Sequence, residues 1–140
     1  MMTFTLDREN KFKEFIFHSS SASIKIMKAT LVLENDTNVD WTSLIANLKL
    51  NAELSYIVHE NNDTLDPRKE EFPIHLNVDP YQKQPVFTLN QTIQSRKFKI
   101  GLSDKEQFYT DLIFQLEDSG NNEEPCSLLF EYEMSDMEEK

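Results

Sequence analysis

The clearest regularity along the chain is an alternation of apolar and polar positions. From Asn47 to His59, Leu48, Leu50, Ala52, Leu54, Tyr56 and Val58 share one parity, and mostly polar residues hold the other. Side chains on extended backbone point alternately to opposite faces, so this stretch predicts a half-buried strand. The pattern recurs at Phe72, Ile74, Leu76 and Val78, and at Phe98, Ile100 and Leu102, where Lys97 and Lys99 take the outward parity. Ser23 to Leu33 is a further strand whose apolar parity changes after Ile26, which predicts a β-bulge or a strand passing between sheets. Val86 to Ile93 reads as a weaker strand, and the C-terminal segment as one with Leu128, Phe130, Tyr132 and Met134 inward.

The segments between these strands, Glu34 to Asp40, Glu60 to Lys69, Asp79 to Pro85 and Asp118 to Pro125, are rich in turn-forming Asn, Asp, Pro and Gly. Seven or eight strands at this spacing predict one all-β domain over residues 1–140, an antiparallel sandwich or barrel, with 135–140 frayed. Gly101 and Gly120 are the only glycines, few for the tight corners of a barrel, which favours the sandwich. Asp40 is placed to cap a short helical turn carrying Trp41, Leu44, Ile45 and Leu48. Two segments read both ways. Lys11 to His18 suits a helix through Phe12, Phe15 and Ile16, or a strand through Phe15 and Phe17. Residues 104–117 follow a capping-box pair, Ser103 and Glu106, yet Phe108, Thr110, Leu112, Phe114 and Leu116 alternate. A strand from about Tyr109 to Glu117 is preferred; a helix there would make the fold α+β, with that helix packed on an antiparallel sheet.

Charge sharpens the picture. The net charge is −11, and residues 117–140 hold nine acidic side chains and one basic. The remainder is nearly balanced, without the clustered Lys and Arg that direct nucleic-acid binding or an anionic membrane requires. If the last two strands form a hairpin across Asp118 to Pro125, Asp111, Gln115 and Glu117 face outward beside Leu129, Glu131 and Glu133. Facing like charges repel by some tenths of a kcal/mol per pair. Either neighbouring Lys97 and Lys99 neutralise them, giving a solvated, charge-guarded face, or a basic partner does.

Catalytic chemistry has little to rest on. No Gly-rich phosphate loop or flanked nucleophile occurs. Cys126 shares the inward parity of Leu128 and reads as a core thiol; alone, it makes no intramolecular disulfide. His59 and His75 would share a face if their strands pair, but a zinc site needs further ligands. Asp36, Asp40, Asp63, Asp66, Asp79 and Asp118 fall in connections, where hard oxygen ligands suit calcium and where turns equally require Asp.

No cofactor is therefore expected. The expected function is a non-catalytic protein-interaction module or assembly subunit, in a narrower version an acidic inhibitor or decoy, contacting a basic protein surface through Glu117, Leu129, Glu131 and Glu133; self-association is compatible with it. The alternative is a carbohydrate- or small-ligand-binding sandwich using Trp41 and Tyr81, with or without calcium. Without an export signal or a membrane-length apolar run, the cytoplasm is the default location, and the nucleus or a virus or phage particle is compatible.

Overall fold

The computed structural model describes residues 2–19, 21–33, 40–60, 64–96, 98–99, 106–107, 110–120 and 126–135. Its main strands are β1 (Met2–Leu6), β2 (Phe12–Phe17), β3 (Ser23–Leu33), β4 (Leu48–Glu60), β5 (Thr64–Ile74) and β6 (Val86–Gln94). The short β7 (Phe98–Lys99) and β8 (Glu106–Gln107) pair with each other, and β9 (Thr110–Asp118) and β10 (Cys126–Ser135) complete the set. One helix, α1 (Trp41–Ala46), precedes β4.

The eight main strands form two antiparallel four-stranded sheets, ordered β1-β10-β3-β6 and β2-β9-β4-β5. Their inward residues meet in one core, as the alternation requires. Phe4 is its hinge-point: it stacks on Phe130 of its own sheet at 4.8 Å between ring centroids and meets Phe15 and Phe114 of the other sheet at 5.6 and 5.3 Å. Leu6, Ile24, Ile26, Leu54, Leu112 and Leu128 fill the layers beside it and are fully buried. The fold is thus the expected all-β sandwich. Thr110–Asp118 and Phe12–Phe17 are strands, so the helical alternatives are overturned wherever the structure describes those segments. Ser103 and Tyr109 lie outside the described residues.

The change of parity in β3 is a bulge. Ile26 pairs with Tyr132 while Lys28 pairs with the adjacent Glu131, so Met27 is the extra residue. The register with β6 shifts at the same place, where Asn90 adopts a left-handed φ of 48°. Asparagine tolerates that conformation better than most non-glycine residues.

Two expectations about connections fail. The stretch from Glu60 to Lys69 is mostly strand, with Thr64 paired to Glu60 and Pro67 to Ile57. Its turn formers misled because β5 is an edge strand, where a proline whose nitrogen faces away from the sheet forfeits no ladder bond, having no N–H to donate. More consequentially, β9 and β10 do not form a hairpin. Each is a central strand of a different sheet, β9 between β2 and β4, and β10 between β1 and β3. Both present unbroken apolar inward faces, and these meet across the core rather than side by side. At the end of β9, Ser119 donates to the carbonyl of Asn47 at 2.9 Å, and Gly120 lies against the Asn47 side chain, where a Cβ would come within 2.6 Å.

Candidate protein-binding surface

Because β9 and β10 lie in opposite sheets, the expected acidic patch is divided. Leu129, Glu131 and Glu133 lie on the outer face of the β1-β10-β3-β6 sheet, whereas Glu117 lies on the outer face of the other. On the first face each acid stands opposite a lysine. Glu131 faces Lys28 across the strands at 3.3 Å, and Glu133 faces Lys25 in the register. Leu129 is half-buried, between Thr5 and Thr30. This neutralisation comes from β3; Lys97 and the Lys99 side chain lie outside the described residues.

The outer face of the β2-β9-β4-β5 sheet is different. Its register rows read Phe12, Gln115, Asn51, Pro73; Glu14, Ile113, Glu53, Glu71; and Ile16, Asp111, Ser55, Lys69. Glu117 sits opposite Lys49. Carboxylates at Glu14, Glu53, Glu71, Asp111 and Glu117 therefore outnumber the ammonium groups of Lys49 and Lys69. Lys69 approaches Glu53 at 3.8 Å. Among the described residues, no salt bridge reaches Glu14, Glu71 or Asp111.

The β2 margin of this face is apolar as well as acidic. Phe12 is 62% exposed and Ile16 40%, because Phe15 and Phe17 take the inward parity and leave their neighbours outside. Half-buried Ile113 lies in the adjacent row. Opposite Ile16, the Asp111 carboxyl pKa is pushed up to about 6, chiefly by desolvation and then by the Glu14 carboxylate beside it. Its Oδ1 is buried without a hydrogen-bond partner. At the opposite end, where β5 stops at Ile74, a half-open cavity of ≈ 590 Å³ is lined by Lys49, Glu71, His75 and Glu117 over a floor including Leu48 and Ile74.

A second polar cluster closes the sandwich mouth. Arg96, just after β6, donates from Nε and Nη2 to the two Glu70 carboxylate oxygens at 2.9 Å each, and the Tyr56 hydroxyl donates to Oε2 at 2.7 Å. These bonds hold Glu70 at about 2, Arg96 first and Tyr56 second. With both oxygens engaged, Glu70 ties the sheets together instead of accepting protons near neutrality. Nearby, Ser95 donates to buried Thr110 at 3.2 Å, a second polar link between the sheets.

The other candidate residues are scattered. Trp41 is half-buried against Phe87, with ring centroids 6.2 Å apart, while Tyr81 is 89% exposed on the turn after Asp79. Asp40 caps α1 through Thr42 N, Asp79 accepts from Tyr81 N, and Asp118 bonds Arg8 at 2.7 Å. Asp36 and Asp63, and the Asp66 side chain, lie outside the described residues. So does the His59 side chain; the strands do pair, as β4 with β5, but His59 stands opposite Leu65, about ten residues and roughly 33 Å along the strand from His75, too far for a shared metal. Among the described residues, no three His, Cys, Asp or Glu side chains gather as metal ligands would. Cys126 is partly buried at the core edge. No described helix is long and apolar enough to cross a membrane.

No protein-family model matches the chain, and comparison with curated proteins finds no match.

Proposed function

We propose that the chain is a non-catalytic protein-interaction module whose outer β2-β9-β4-β5 face engages a basic, partly apolar protein surface. The observation behind this reading is the contrast between the two faces. On one side each of Glu131 and Glu133 stands opposite a lysine, with Lys28 and Glu131 3.3 Å apart, whereas on the other no salt bridge among the described residues reaches Glu14, Asp111 or Glu71, the first two beside exposed Phe12 and Ile16 and the third on the far strand β5. Unpaired carboxylates repel one another on an isolated sheet, and an exposed aromatic ring is a common anchor in a protein interface. A cationic surface relieves the first feature and covers the second.

On this reading Glu117 belongs to the contact surface, while Leu129, Glu131 and Glu133 lie on its far side. The test is affinity capture from the native source with two charge-reversed forms, Glu14→Lys with Glu71→Lys, and Glu131→Lys with Glu133→Lys. Proteins held by the unaltered chain should be lost from the first form, kept by the second, and released by raised salt, as charge-steered contacts are. Equal retention by both forms rejects the assignment of the face.

A further inference from the structure

Among the described residues no strand pairs with β2 on the side away from β9, and this margin presents backbone as well as side chains. The Leu116 amide donates to the Lys11 carbonyl at 2.9 Å, so even-numbered β9 residues turn their amides towards β2. By the alternation of an antiparallel ladder, Lys13, Phe15 and Phe17 close those pairs, and Phe12, Glu14 and Ile16 turn N–H and C=O to the open side. The exposed apolar side chains, the Glu14 carboxylate and the free hydrogen-bonding groups thus belong to the same residues.

Resting on the interaction reading above, we infer that β2 is a strand-addition edge taking an extended partner segment patterned apolar–x–basic–x–apolar. A strand laid on β2 sets its own outward side chains beside Phe12, Glu14 and Ile16, because directly paired residues share a face. The central cation meets Glu14 and, one strand further in, Asp111, while the flanking apolar residues cover Phe12 and Ile16.

The other edges suit such a guest less well. Pro67 and Pro73 share the parity of β5 that turns away from the sheet, which removes edge donors. On β6, the left-handed Asn90 and the shifted register interrupt a regular margin. β1 is only five residues long and carries no charge to select a basic guest. A second copy of this chain is also a poor guest for β2. Two β2 strands paired about a two-fold axis at Glu14 bring the Glu14 carboxylates face to face, each with Asp111 behind it.

The probes are a synthetic alternating peptide with valines flanking a central lysine, and its twin with glutamate in the lysine position. Binding is followed by fluorescence anisotropy and amide exchange. The lysine peptide should bind at least tenfold more tightly than its twin and slow exchange at the Phe12, Glu14 and Ile16 amides. Ile16→Pro should abolish binding while leaving the β9 ladder paired. Should that variant fail to fold, Glu14→Lys provides the charge-swap test: it should reject the lysine peptide and accept the glutamate twin. Equal binding of the two peptides, no binding of either at millimolar concentration, or protection confined to β1 or β5 overturns the inference. If native partners are still lost when Glu14 and Glu71 are reversed, the face survives and strand addition alone has failed. If their retention ignores those charges, the functional reading itself has failed.

Discussion

Replacing Asp111 with Asn should stabilise the isolated protein, and the gain should depend on pH. Asp111 titrates at about 6 against an ordinary value of 3.8, first because of desolvation and then because of Glu14. The folded state therefore disfavours its ionised form. Both folded and unfolded chains carry the proton well below pH 3.8, so no penalty exists there; it grows as pH rises and is complete above about 6. At about 1.4 kcal/mol per pKa unit the unscreened penalty is about 3 kcal/mol. Oδ1 is buried but the residue as a whole is only half-buried, and solvent screening reduces the expected effect to about 1 kcal/mol. An amide has no charge to desolvate, and its NH2 can donate to Glu14. Thermal unfolding at pH 7 should accordingly show a midpoint raised by about 3 °C for a chain of this length, with the gain vanishing near pH 4. An unchanged midpoint at pH 7, or a larger gain at pH 4 than at pH 7, would refute the strained carboxylate pair.

The mouth cluster should have the opposite acid response. Glu70 is lowered to about 2 from 4.5 by its bonds to Arg96 and Tyr56, so its stabilisation is complete above pH 4.5 and is lost as pH falls towards 2. Arg96→Ala should lower stability at pH 7 by about 1 kcal/mol, allowing for solvent screening, and denaturant titrations should show that difference shrinking below pH 4. In the core, Phe130→Ala removes a fully buried ring stacked on Phe4 and should cost about 3–5 kcal/mol by chemical denaturation. Asp40→Ala removes the α1 cap and should lower the denaturation midpoint in the same assay.

The strands were largely legible because a half-buried strand writes its two faces into the sequence with a period of two. Leu48 to Tyr56 shows this most plainly, and Met27 marks even the bulge. Edge strands were harder to read. Pro67 signals a turn unless its strand is known to lack a neighbour on one side, and β1 is too short for Phe4 and Leu6 to establish a period. Pairing between strands was the larger gap. Alternation says which side chains point inward, but not which strand lies next to which, so β9 and β10 looked like a hairpin until the sheet order divided them. The candidate surface inherited that error. Its actual centre had a faint signal: once Phe15 and Phe17 are inward, Phe12, Glu14 and Ile16 must face out. Their meeting with Asp111 and Ile113 depends on the β2–β9 register, which no local pattern encodes.

Lysines on both faces allow a direct test of the central claim. Lys49 and Lys69 stand on the outer β2-β9-β4-β5 face, and Lys25 and Lys28 on the other. Amine-reactive cross-linking of the complex captured from the native source, followed by mass spectrometry, should join the partner to Lys49 and Lys69 and leave Lys25 and Lys28 unlinked to it. Partner cross-links concentrated at Lys25 and Lys28 would contradict the account.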